Sequence, residues 1–178
     1  IISCSSNKNN MNVTGNVDGL KKGTLYLQTE KDSLVVNLDS VNLKGSGNYK
    51  LGTNIAEPDI YYLYLDKKDG DSLNDIIPFF GNEGEIEINT RLSTFDSSYE
   101  IFGSKNSDLL KEYNSIMRQY NSQNLDLLEI FYKSQIENNQ ERIDSVNLEL
   151  ENLIRKKYLY TLNFSITNAN DEISPYIT

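Results

Sequence analysis

The residues that could do chemistry are few, and most are acidic. Asp66, Asp69, Asp71, Asn74 and Asp75 crowd one loop. Clustered oxygens are what calcium takes. The Asp-x-Asp-x-Asp-Gly order and the closing Glu of an EF-hand loop are absent, so the plainer reading is a solvated hairpin loop. Glu83, Glu85 and Glu87 could supply paired carboxylates for acid–base work. Period-two alternation already places Glu85 and Glu87 on the solvent side of a strand. Gly45-Ser46-Gly47 is not a phosphate loop, because no Lys-Ser/Thr follows it and no helix starts. Tyr61, Tyr62 and Tyr64 could stack on a sugar or a peptide, or serve as core and cross-strand pairs. Arg142, Arg155, Lys156 and Lys157 read as the basic end of a helix, which complements its C-terminus.

The exclusions are sharper than the candidates. The chain of 178 residues has no His, so it has no Ser-His-Asp triad, no imidazole base and no His metal ligand. One Cys allows no internal disulfide, no Cys-x-x-Cys pair and no thiolate zinc site. No catalytic constellation, metal or cofactor is expected. A net charge of -9 argues against a nucleic-acid partner, because phosphate neutralisation needs a basic face. Tyr outnumbers Phe 12 to 6 and Trp is absent, which suits a small sandwich with partly wet faces.

The one Cys sits in a compound signal. Ile1-Ile2-Ser3-Cys4 is an apolar pair, a small residue and then Cys, and it resembles a bacterial lipobox. On that reading a signal peptidase cleaves before Cys4 and the thiol carries a diacylglycerol. A lipid thioether needs no second Cys. Ser5 to Asn12 then forms a flexible polar spacer. Several acyl chains on one residue give lasting anchorage, at about 0.8 kcal/mol per buried methylene. Ser rather than Asp follows Cys4, which in enteric bacteria favours the outer membrane over the inner. The plain alternative is an ordinary N-terminal segment with an incidental Cys.

From Met11 the chain reads in period two. Val13–Val17 alternates and turns through Asp18-Gly19; Thr24–Thr29 alternates again. Leu34–Leu38 is short and β-branched, Val41 and Leu43 continue a face, and Gly45–Asn48 breaks it. Tyr49–Leu51 follows. Ile60–Leu65 is apolar on both faces and reads as a central strand. Pro78-Phe79-Phe80 leads into Gly81-Asn82-Glu83-Gly84, a turn. Glu85–Asn89 puts Ile in and Glu out, and Tyr99–Phe102 closes the set. Seven to eight short strands at this spacing predict an antiparallel β-sandwich.

The ordered pieces also resemble a known family. They are Val13–Val17 with Gly23–Leu27, Asp39-Ser40-Val41, Gly47–Gly52, Pro58 with Tyr61-Tyr62-Leu63, Phe79–Ile88, and Phe102-Gly103-Ser104. Together they look like domain-of-unknown-function 4369, an N-terminal domain of lipoproteins common in Bacteroidota. The resemblance covers about residues 11–104. It implies a periplasm-facing lipoprotein in which the domain precedes a helical linker and a thioredoxin-like domain with a Cys-x-x-Cys site. This sequence has no Cys-x-x-Cys and no room for a thioredoxin fold, so no catalytic residue carries over.

After Ile101-Phe102-Gly103-Ser104-Lys105-Asn106 the period changes. Roughly 60 residues run in helical period without Pro or Gly. Ser104 or Ser107 can cap a helix beginning near Asp108. Leu109, Leu110, Tyr113, Ile116, Met117 and Tyr120 share a face. Asn121–Asn124 is a candidate break, with Asn124 a cap for the next helix, or a solvated helix face. A stripe then runs through Leu125, Leu128, Tyr132, Ile136, Asn139, Ile143, Val146, Leu150 and Leu153, with Asn139 and, if the register continues, Lys157 as polar interruptions. An antiparallel helical hairpin is expected, with an intermolecular coiled coil as the alternative. Ser174-Pro175 can open a further helix with Pro in its first turn.

The expected organisation is therefore a lipobox remnant and tether over 1–10, a β-sandwich over 11–104, a helical hairpin over 105–165, and the start of a truncated further segment over 166–178. The fold class is α+β. The expected function is a non-catalytic accessory or binding domain of a membrane-anchored bacterial lipoprotein, associated with a thioredoxin-like domain outside this chain. The alternative is a stand-alone cell-envelope lipoprotein acting as a protein-binding or structural module. The expected partners are the membrane, through lipid on Cys4, and a protein reached through the sandwich or the helices.

Overall fold

The computed structural model describes residues 9–67 and 75–177. The chain divides into two units, Ile1–Asp108 and Leu109–Thr178. The first holds eight strands: β1 Met11–Asp18, β2 Lys22–Lys31, β3 Leu34–Lys44, β4 Asn48–Thr53, β5 Asp59–Asp66, β6 Ile76–Gly81, β7 Gly84–Arg91 and β8 Glu100–Phe102. They form two open four-stranded sheets, ordered β4-β1-β7-β8 and β3-β2-β5-β6. Alternation makes each sheet two-faced. Val13, Val17, Ile86 and Ile88 from one sheet meet Leu25, Leu27, Leu63 and Phe79 from the other in a shared core. Each such side chain contributes roughly 1.5–3 kcal/mol by leaving water. The expected α+β sandwich is thus present.

The sandwich is not wholly antiparallel, as the strand spacing predicted. β1 and β7 run parallel at the centre of the first sheet. The chain crosses between sheets after β1, β3, β4 and β6. Neighbours in a sheet are then often not neighbours in sequence, and hairpin alternation no longer sets direction. A period-two pattern marks which side chains face in, but carries no sign for strand direction.

Two boundaries also move. Leu34–Leu38 and the face through Val41 and Leu43 are one strand, β3, with a bulge opposite Leu27/Gln28 that puts the two halves out of phase. The spacer expected to run to Asn12 ends sooner, because Asn10 is a clasp. Its Nδ2 donates to the Ile55 carbonyl at 2.8 Å and to Glu83 Oε1 at 2.9 Å. Its Oδ1 accepts from Ile55 N–H at 2.8 Å, and its carbonyl accepts from Gly84 N–H.

β5 is internal, as its sequence suggests, but its two faces differ. Tyr61, Leu63 and Leu65 are buried, while Ile60, Tyr62 and Tyr64 are half-buried. Pro78 sits in β6, an edge strand, where a missing N–H costs no ladder bond.

The helices are α1 Lys105–Ile136, α2 Gln140–Thr167 and the four-residue α3 Ser174–Ile177, which opens at Ser174-Pro175 as the spacing predicted. Of the two readings of Asn121–Asn124, a break or a solvated helix face, the structure takes the second. Asn121, Ser122 and Gln123 lie exposed on an unbroken α1. The turn comes at Glu137–Asn139. Asn138 takes φ 54°, Asn138 N–H bonds to Gln135 O, and Asn139 N–H bonds to Ser134 O. This is the Schellman pattern, with Asn in the place usually held by Gly. The Asn139 side chain then caps α2, accepting from Arg142 N–H at 3.1 Å. Asn139 is therefore a cap and not a polar layer, and the single stripe drawn through it splits into two helices.

α1 and α2 form an antiparallel hairpin closed by aromatics. Tyr113 stacks on Tyr160 with centroids 5.9 Å apart and packs on Phe164 at 5.4 Å. Its hydroxyl meets Thr161 Oγ1 at 3.0 Å. Val146 and Leu153 are buried along α2.

Candidate functional site

Cys4, Asp69, Asp71 and Asn74 lie outside the described residues. Asp66 and Asp75 remain at the two ends of that loop. Asp75 is buried, with one carboxylate oxygen ion-paired to Lys67 Nζ at 2.9 Å and the other without a hydrogen bond among the described residues. A lysine at that carboxylate supplies the counter-charge a cation would bring. Among the described residues no three His, Cys, Asp or Glu side chains gather as a metal site.

The three glutamates have separate places. Glu85 and Glu87 are exposed on the outer face of β7. Glu87 accepts from Asn89 Nδ2 at 2.7 Å, and Glu83 belongs to the Asn10 clasp. Gly45-Ser46-Gly47 turns β3 into β4, with Ser46 Oγ accepting from Asn48 N–H at 3.2 Å.

The tyrosines are structural in their geometry. Tyr61 packs on Phe79 with centroids 6.0 Å apart, and Tyr64 stacks on Tyr26 across the strands at 5.9 Å. Burial pushes the Tyr62 hydroxyl above its ordinary range, with Glu30 and Asp59 adding to the effect.

The basic residues are not where a helix C-terminus would want them. Arg142 lies in the first turn of α2 and reaches Glu149 at 3.5 Å. Arg155, Lys156 and Lys157 lie mid-helix, because α2 runs on to Thr167, and its last turn has no basic residue. The hairpin expected to residue 165 ends close to there, at Thr167, and these basic side chains stop short of the last turn, so they do not complement the helix C-terminus.

The sequence singled out no residue of the feature that stands out most. The side of α2 away from buried Val146, Leu153 and Phe164 is apolar over much of its length. Leu148, Ile154, Tyr158, Leu159, Leu162 and Ile166 are each about half exposed or more. Asp144, Glu151 and Arg155 interrupt this side, but six large apolar residues exposed on one helix mark a surface that proteins tend to cover. The signal was legible as Ile154, Tyr158, Leu162 and Ile166 at spacing four. It was hidden because the stripe through Asn139 took the helical phase from the wrong helix.

Between the helices lies a shallow groove of about 380 Å³, lined by Gln123, Asp126, Leu127, Glu149, Leu153 and Lys156 among others. Among the described residues no helix is long and apolar enough to cross a membrane.

Comparison with known families falls on the sandwich. The family model of a domain of unknown function, DUF4369, matches residues 11–110. No curated protein matches the chain. The match takes in all eight strands and, at its end, the first turn of α1. By a match over more than half its length, the chain belongs to the DUF4369 family.

Proposed function

We propose that this chain is a non-catalytic binding module of a lipid-anchored cell-envelope protein. The observation that carries the binding role is the uncovered apolar side of α2. A helix that keeps Tyr158, Leu162 and Ile166 in water stabilises itself by covering them with a partner. The chemistry of the chain supports the non-catalytic part of the reading. It has no His, one Cys, and carboxylates engaged in structural bonds. The sequence Ser3-Cys4-Ser5 supports an anchor on Cys4, at a periplasm-facing membrane and by preference the outer one. The resemblance stated above pairs the module with a thioredoxin-like thiol:disulfide domain encoded after Thr178.

Two experiments test it. Cys4→Ala in the gene with its native leader should release the protein from washed membranes and abolish labelling by a fatty-acid probe. Unchanged retention refutes the anchor. Reading the gene past Thr178 decides the association: a Cys-x-x-Cys within a βαβ pattern supports it, and an early stop leaves a stand-alone binding lipoprotein. Thiol-reductase turnover by this chain alone would sink the non-catalytic reading.

A further inference from the structure

The outer side of α2 has a heptad seam. Asp144, Leu148, Glu151, Arg155, Tyr158 and Leu162 follow one another at spacings of four and three. At about 100° per residue they lie opposite the buried Val146, Leu153 and Phe164. All six are exposed. Ile154 and Leu159 flank them. At the middle of this seam stand two charges of opposite sign, Glu151 and Arg155, and neither makes an ion pair among the described residues.

We propose that α2 pairs with α2 of a second copy of this chain, antiparallel, about a two-fold axis level with Leu153. The charges select the direction. A parallel pair sets Glu151 on Glu151 and Arg155 on Arg155, and like charges across a seam cost stability. An antiparallel pair about Leu153 sets Glu151 of each copy opposite Arg155 of the other. The same register sets Leu148 opposite Tyr158 on both sides of that polar layer, and Asp144 opposite Leu162 at the two outer ends. The rest of the helix leans the same way: its acids, Glu141, Asp144, Glu149 and Glu151, all precede Asn152, where Arg142 is the one base and is ion-paired to Glu149, and Arg155, Lys156 and Lys157 follow it.

A single helix face with a polar layer at its middle lies at the low end of specific interfaces. A reversible dimer follows, not an obligate one. The inference names the partner for the hairpin surface proposed above and rests on that part of the proposal alone. A chain that is monomeric yet held on membranes by Cys4 overturns the dimer and leaves the anchor standing.

The test is sedimentation equilibrium on the full chain carrying Cys4→Ser, so that no thiol links copies. The parent chain should associate reversibly to a dimer. Glu151→Arg and Arg155→Glu should each raise the dissociation constant by about tenfold or more. The double variant Glu151→Arg/Arg155→Glu should bring it back to within about threefold of the parent. A monomeric parent at several hundred micromolar (on the order of the weakest useful affinity) overturns the proposal. So does a double variant as weak as the singles. Should a charge variant lose helix by circular dichroism, a cross-link gives the second readout. Leu148→Cys/Tyr158→Cys should oxidise to a covalent dimer while either single variant does not. The reverse result excludes this register.

Discussion

Ser107 bonds to both backbone groups of Phe80: its Oγ accepts the Phe80 N–H at 3.0 Å and donates to the Phe80 carbonyl at 3.1 Å. Ser104 Oγ donates to the same carbonyl at 2.9 Å and accepts from Ser107 N–H at 3.2 Å. β6 is an edge strand, so Phe80 has backbone groups that no further strand covers. Ser104, the cap of α1, and Ser107 in its first turn take that role. Gly103 makes the approach possible. It has φ 90°, and a Cβ there would lie 2.3 Å from the Glu85 carbonyl oxygen.

Ser107→Ala should therefore destabilise the sandwich by about 1–3 kcal/mol, the cost of removing a buried N–H's acceptor. Ser104→Ala loses an N-cap and should cost about 1 kcal/mol. Urea unfolding followed by tyrosine fluorescence checks both. The midpoint should fall with the slope unchanged. A Ser107→Ala midpoint equal to the parent's would mean the pairing with Phe80 adds nothing.

Tyr49 makes the second long-range clasp. Its side chain crosses Gly15, and its hydroxyl donates to the Ile88 carbonyl at 2.8 Å. Gly15 is required, because a Cβ would sit 1.8 Å from that carbonyl oxygen. Tyr49→Phe should cost about 1–3 kcal/mol, and Gly15→Ala about 3 kcal/mol or more. Burial, with the nearby Glu87 carboxylate second, pushes the Tyr49 hydroxyl far above its ordinary value of 10.0. The sign follows from proton counts. Above about pH 10 the unfolded chain loses this proton and the folded chain keeps it. Stability is then fully present below pH 10 and falls as pH rises beyond it, by up to about 1.4 kcal/mol per unit. Tyr49→Phe should flatten that alkaline fall. Parallel curves for parent and variant between pH 9 and 11 would refute the assignment.

How much of this was legible depended on whether a rule is local. The one-sided strand Glu85–Asn89 and the turn at Gly45–Asn48 needed only alternation and turn chemistry, and both stand. The parallel contact of β1 with β7 was not legible, because no local pattern encodes strand direction between distant segments. Asn10 failed for the same reason. It reads as spacer because its partners Ile55 and Glu83 are distant in sequence. The helical half erred through phase. One misplaced turn moved Asn139 from cap to stripe and hid the outer seam of α2.

The Asn10 clasp yields its own measurement. Asn10→Ala removes two donated bonds and one accepted bond and should cost about 1–3 kcal/mol. Asn10→Asp keeps the shape but sets a carboxylate beside the Ile55 carbonyl and Glu83. It should be the less stable of the two at pH 7 and recover towards the alanine variant near pH 4, where carboxylates protonate. Equal stability of the two variants at pH 7 would show that the donor side of the clasp is unimportant.

Asn138 tests the hairpin turn. At φ 54° its side chain is tolerated in a conformation that costs most L-residues about 1–2 kcal/mol. Asn138→Gly removes that strain at the position where helices prefer glycine, and should raise the stability of the hairpin by a few tenths to about 1 kcal/mol. Asn138→Val should lower it by about 1–2 kcal/mol, since a β-branched side chain fits a positive φ worst. Asn139→Ala, one residue on, acts through a different loss, the side-chain cap on Arg142 N–H, and should cost about 1 kcal/mol. Thermal unfolding of the full chain by circular dichroism at 222 nm (a wavelength dominated by helix) separates them. If the turn lies at Glu137–Asn139, glycine and valine at 138 must move the midpoint in opposite directions. If α1 instead broke at Asn121–Asn124, position 138 would sit inside a helix, where glycine costs about 1 kcal/mol relative to alanine. The sign of the Asn138→Gly shift therefore decides where the hairpin bends.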